Sequence, residues 1–140
     1  MNIDMLAEML IYVIVISVIT IMGLALYGIF RRPSLIKKII ALTIFTDAAN
    51  TFAIIVGYRF VKGYGLPIPP VLQNYSPSIE DIVKFTSLSV DPLPQALVLT
   101  AIVISLAVTA FLIALTLQTY RIAGSTDVRV IAELRSKEEV

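Results

Sequence analysis

Three long apolar blocks divide the chain. The first runs from Met9 to Phe30 without a charged residue. The second, Ile39 to Tyr58, is apolar except for Thr43, Thr46, Asp47, Asn50 and Thr51. The third, Ala96 to Thr119, is again uncharged. At about 1.5 Å per residue, some 20 residues of helix cover the ~30 Å of a bilayer's hydrocarbon core. A lipid-facing backbone must satisfy its own hydrogen bonds, so each block reads as a helix. The expected architecture is an all-α membrane protein with three transmembrane helices at about 9–30, 34–58 and 92–120. A loop at 59–91 and a tail at 121–140 complete a single membrane domain over 1–140.

The block ends carry recognisable stop and start signals. Asp4 and Glu8 precede the first block where a secretory leader would have basic residues, and Arg31-Arg32 close it, so it reads as a span. Its Ser17, Thr20 and Gly23 suit close helix contact. Pro33 suits a first helical turn, and Lys37 and Lys38 can reach the interface. Asp91 is a natural N-cap for the third helix, with Pro92 and Pro94 in its first turn. Pro94 has no N–H, so Asp91 is expected to hold the N–H of Leu93. Gln95 stands one turn inside, able to bridge to a partner or hold water. Gly124-Ser125-Thr126-Asp127 ends the helix, and the polar tail beyond can form a short one.

The loop is not membrane-like. Gly63, Gly65, Pro67, Pro69 and Pro70 read as extended chain. Ile79 to Phe85 is expected to form about two turns, with Ile79, Ile82 and Val83 on one face, suited to the membrane surface or a partner. Basic residues set the orientation. Four lie between the first two spans (Arg31, Arg32, Lys37, Lys38) and four in the tail (Arg121, Arg129, Arg135, Lys137). The longer loop balances Arg59, Lys62 and Lys84 against Glu80, Asp81 and Asp91. The N-terminus and the loop 59–91 are therefore expected outside, and the C-terminal tail in the cytoplasm.

Composition narrows the chemistry. Of 140 residues, 58% are hydrophobic and 15% charged, well to the apolar side of a soluble domain. There is no cysteine and no histidine, which removes thiolate zinc, haem and iron–sulfur ligation and every Cys- or His-based catalytic scheme. A net charge of +1 leaves no footprint for nucleic acid. No catalytic residue, metal site or cofactor is expected.

Asp47 is the ionisable residue inside a predicted span. An aspartate at mid-bilayer costs about 2.5–3.5 kcal/mol even on the low scales, so it is expected to face protein or water. Thr43, Asp47, Asn50 and Thr51 follow i, i+4, i+7, i+8 spacing, one stripe of a helix. The third helix has a stripe of its own in Ser105, Thr109 and Thr116. Thr43, Asp47, Asn50, Ser105 and Thr109 are thus candidates for an ion or proton path. The same pattern also fits a structural clasp, with the carboxyl hydrogen-bonded to a neighbouring subunit. Either reading requires partners, since three helices hardly enclose a path.

The run Asp91-Pro92-Leu93-Pro94-Gln95-Ala96-Leu97-Val98-Leu99-Thr100-Ala101-Ile102-Val103-Ile104 resembles the signature of the C subunit of Mrp-type multi-subunit cation/proton antiporters. Ser105 to Leu112 and the basic exit at Tyr120-Arg121 continue the likeness. It extends loosely over Arg31 to Gly57, and to the first span by hydropathy. That family is related to the K-type small subunit of respiratory NADH:quinone oxidoreductase. Its counterparts also sit in archaeal membrane-bound hydrogenase and sulfur-reducing complexes. The resemblance implies a non-catalytic, cofactor-free subunit of a Na+/H+ antiporter-like ion-translocating module in the plasma membrane of a bacterium or archaeon. Its partners would be large antiporter-like subunits and small Mrp-type ones. A stand-alone antiporter and the membrane arm of a redox complex both fit. A pure assembly or scaffold subunit is the alternative. The chain departs from K-type relatives in carrying Thr43 and Val108 where they have glutamates. Its longer loop implies an extra docking surface.

Overall fold

The computed structural model describes residues 3–58, 68–72 and 74–138. The described residues form five helices and no strand: α1 Ile3–Arg31, α2 Leu35–Gly57, α3 Ile79–Leu88, α4 Pro92–Ala123 and α5 Val128–Glu138. Three of them (α1, α2 and α4) are long and apolar enough to cross a membrane. α1, at 29 residues, and α4, at 32, outrun the expected spans and the hydrocarbon core, whereas α2 has 23. The extended segment expected at Gly63, Gly65 and Pro67, and the flanking Arg59 and Lys62, lie outside the described residues.

α2 is the middle helix. It packs on α1 along one side and on α4 along the other, and α1 and α4 pack on each other far less. The contact with α1 is built from small side chains. Val18 and Ala25 of α1, and Ala41 and Ala48 of α2, are buried, and a Cβ on Gly28 would come within 3.1 Å of the Ala41 Cβ. Lipid tails are as apolar as these side chains, so helices associate through close packing rather than hydrophobic exclusion. Ser17, Thr20 and Gly23 do not make this contact. All three are exposed, and the hydroxyls of Ser17 and Thr20 donate to the carbonyls of Val13 and Ile16 on their own helix.

α4 turns one narrow stripe toward α2: Pro94, Val98, Ala101, Ser105, Thr109, Leu112, Thr116 and Thr119 are the less exposed positions of that helix. Its remaining faces expose large apolar residues such as Leu99, Val103 and Leu106. A groove lined by Ile29 of α1, Lys38 and Leu42 of α2, and Leu112 and Leu115 of α4 shows that the outer helices fold toward one face of α2. The opposite face of α2 is left open.

The helix ends are fixed by specific hydrogen bonds. At one end, Ser34 pairs with Asp127: Leu35 N–H donates to the Thr126 carbonyl (2.9 Å) and Val128 N–H to that of Pro33 (3.0 Å). Pro33 therefore does not sit in the first turn of α2. Ser34 is the N-cap, and Pro33 lies outside the helix, where its carbonyl serves the pairing instead. Gly124 caps α4 with φ +66°, a left-handed conformation that glycine takes without steric cost. At the other end, Asp91 N–H donates to the Gly57 carbonyl (3.3 Å) and Val90 N–H to that of Ile68 (3.1 Å).

Candidate functional site

With one residue every 100°, the open face of α2 carries Ile36, Ile40, Ile44, Asp47, Thr51 and Ile54, all exposed. Asp47 thus projects away from both neighbouring helices, with Ile44 one turn before it on this face and Thr51, then Ile54, after it. Its carboxylate makes no hydrogen bond or ion pair with any described residue. Thr51 donates to the Asp47 backbone carbonyl (2.8 Å), which turns its own polar atom into the helix.

The expected single stripe is split. Thr43 and Asn50 are half-buried on the face that carries Ile39 and Gly57, and those two residues meet α4. Thr43 satisfies its hydroxyl on the Ile39 carbonyl (3.1 Å), while the Nδ2 of Asn50 is enclosed without a partner. A buried donor left unpaired costs on the order of 1–3 kcal/mol, so this amide calls for an acceptor, such as a bound water.

Ser105 and Thr109 supply the facing wall. Both are half-buried on the α4 stripe turned to α2. α2 and α4 run antiparallel, with Gly57 against Pro94 at one end and Ile39 level with Thr116 near the other. Equal rises from these two contacts bring Ser105 level with Asn50 and Asp47, and Thr109 level with Thr43 and Thr46. Neither hydroxyl hydrogen-bonds to a described residue, unlike Thr116 and Thr119, which bond back to Leu112 and Leu115. Asn50, Ser105 and Thr109 therefore line one seam with unsatisfied polar atoms, and Asp47 stands at its open edge. Val108, by contrast, is exposed on another face of α4.

The helix-start motif has a different character. Asp91 caps α4 by accepting from Leu93 N–H at 3.0 Å, the one donor the prolines leave within reach. Pro92 occupies the first turn and Gln95 is exposed. Pro94 is the packing residue, and its ring fills the space a side chain at position 57 would take. A glycine ending one span and a proline opening the next was the available sequence signal for this contact. α3 is closed by a reciprocal capping box between Ser78 and Asp81. The Ser78 backbone N–H, then its hydroxyl, hold the Asp81 carboxyl below its ordinary value. The face of α3 with Ile79, Ile82 and Val83 is exposed. Among the described residues no cluster of acidic side chains is suited to a metal ion.

Three apolar helices long enough to span a membrane, with a polar seam and a carboxylate that has no partner among the described residues, define a small polytopic membrane protein. Residues 11–136 match the family model described as NADH-ubiquinone/plastoquinone oxidoreductase chain 4L, and the chain belongs to that family. It is 40% identical over 98 residues to the Na(+)/H(+) antiporter subunit C1 of Staphylococcus epidermidis, covering 70% of this chain and 72% of that one. The Staphylococcus aureus protein of the same description is 39% identical over 95 residues, covering 68% and 71%. Among solved structures, a chain of the membrane-bound sulfane sulfur reductase, an archaeal respiratory membrane complex, superposes with a TM-score of 0.64. It is 30% identical, with 83% of this chain and 94% of that one covered. The chain is thus homologous to the small membrane subunits of ion-translocating modules.

Proposed function

We propose that this chain is a non-catalytic subunit, one membrane domain over residues 1–140, of a Na+/H+ antiporter-like module in a plasma membrane. Its N-terminus and the loop before α4 face outward, and its C-terminus faces the cytoplasm, following the basic residues. The chain forms part of a lateral wall. Larger neighbours supply the ion paths, and the seam of Asn50, Ser105 and Thr109, with Thr43 beside it and Asp47 at its edge, connects them. Asp91, Pro92, Pro94 and Gln95 serve as the structural start of α4.

The observation that carries this reading is Asp47: a carboxylate on the open, largely apolar face of a membrane span, with no partner among the described residues. Lipid cannot solvate it, so a neighbouring subunit or water held by one must. The likeness to antiporter C subunits supports the stand-alone module, and the likeness to the sulfane reductase chain supports a redox-driven arm. Purification of the tagged chain in mild detergent, with mass spectrometry of what accompanies it, tests the reading. Large antiporter-like membrane chains are expected, joined by hydrogenase-like soluble subunits if the arm is redox-driven. Recovery as a homo-oligomer alone would overturn it.

A further inference from the structure

We propose that the groove between α2 and α4 at the chain's basic end binds an anionic phospholipid, its acyl chain lying between the helices and its headgroup held by Lys37 and Arg121. The cavity is about 490 Å³, with walls of Ile36, Ile40, Ile113, Leu117 and Tyr120. Two polar groups among the lining residues are already engaged. The Thr116 hydroxyl donates to the Leu112 carbonyl (2.8 Å), and the Thr126 carbonyl accepts from Leu35 N–H (2.9 Å). The walls therefore present hydrocarbon only. A helix with side chains is about 10–12 Å across, too wide to enter between two helices already in contact, whereas a single acyl chain is slender enough.

The charge gathered at this end of the helices selects the headgroup. Lys37 follows the wall residue Ile36, Arg121 follows Tyr120, and both are exposed. The pairing of Ser34 with Asp127 ties the two helix ends together, so cations distant in sequence meet at one end. Asp127, next in sequence to the wall residue Thr126, is turned to the start of α5, where it accepts from the Arg129 N–H (2.9 Å). Basic side chains at a groove between spans favour anionic headgroups over zwitterionic ones. The proposal does not depend on which complex holds the chain.

The chain has no tryptophan, so one introduced residue reports on the groove. The full chain carrying Leu117→Trp is reconstituted in phosphatidylcholine vesicles. Part of the lipid is then replaced by phosphatidylglycerol or phosphatidylcholine brominated in the acyl chain. Leu106→Trp, on an exposed face of α4 away from the groove, is the control. At equal mole fraction, brominated phosphatidylglycerol is expected to quench Leu117→Trp at least about threefold more effectively than brominated phosphatidylcholine. Leu106→Trp should show no preference. Lys37→Gln with Arg121→Gln should abolish the preference, the charge-conserving Lys37→Arg with Arg121→Lys should keep it, and inorganic phosphate should not compete. Equal quenching of Leu117→Trp by both lipids would overturn the proposal. So would quenching by neither, which would mean that no acyl chain enters the groove.

Discussion

Gly57 and Pro94 stand so close that a Cβ on the glycine would lie 2.7 Å from the proline Cγ and 3.0 Å from its Cβ. A pyrrolidine ring cannot swing aside as a long side chain can. The contact joins the end of α2 to the first turn of α4, and the hydrogen bond from Asp91 N–H to the Gly57 carbonyl lies beside it. Gly57→Ala is therefore expected to destabilise by about 1–3 kcal/mol through overpacking. Pro94→Ala should recover much of that loss in the double variant. Thermal unfolding in detergent measures both, and a Gly57→Ala protein as stable as the parent would contradict the contact.

The spans were legible because length and continuous apolarity suffice to define them. The capping at Asp91 was legible because prolines leave a single donor there. Pairings distant in sequence were not. Nothing in the sequence near Ser34 announces Asp127, and that pairing moves Pro33 out of the helix where its composition placed it. Polar side chains were similarly ambiguous. Ser17 and Thr20 satisfy themselves on their own helix, whereas Ser105 and Thr109 do not, and the residue types are the same. The stripe of Thr43, Asp47, Asn50 and Thr51 was readable as a set. Its division between an inner seam and an open face depends on which side of α2 each neighbour covers.

The capping box of α3 makes a pH-dependent prediction. Ser78 holds the Asp81 carboxyl below its ordinary value of 3.8, so the charged form is favoured in the folded helix. The stabilisation is fully present above that ordinary value and is lost as pH falls through the lowered one. Backbone chemical shifts from Ile79 to Ile82, followed by NMR from neutral pH downward, should therefore report fraying only below about pH 4. Asp81→Asn should fray the first turn at neutral pH. Ser78→Ala removes the hydroxyl and keeps the larger cause, the backbone N–H, so it should return the Asp81 titration only part of the way toward its ordinary value. An unmoved titration would show that the hydroxyl contributes nothing.

Topology is checked by single-cysteine labelling, since the chain has no cysteine of its own. Asn74→Cys is expected to react with a membrane-impermeant maleimide on intact cells. Ser34→Cys and Ser136→Cys should react only after permeabilisation. The Ser34–Asp127 pairing requires the last two to share a side. Reaction of Asn74→Cys from the cytoplasmic side would invert the orientation proposed from the basic residues.

Asp47 decides between a conducting seam and a structural clasp. The residue lies on the open face of α2, so its compensation in a bilayer must come from another chain or from water. Asp47→Asn keeps the size and most of the hydrogen-bonding capacity but cannot exchange a proton or carry charge. A clasp survives that change, and the complex then assembles and works nearly as before. A relay assembles but loses function, and ion-coupled transport by the reconstituted complex is expected to fall at least about tenfold. Asp47→Leu removes the polar group altogether. If the face is covered by a subunit that offers Asp47 a donor, that donor is left unpaired in the interface, and recovery of the complex should drop. The two variants separate the roles because assembly and transport are read independently: mass spectrometry of the purified complex reports the first, and ion flux into vesicles the second. Normal assembly and normal flux for both would leave Asp47 with neither role and move the search for the path to Asn50, Ser105 and Thr109.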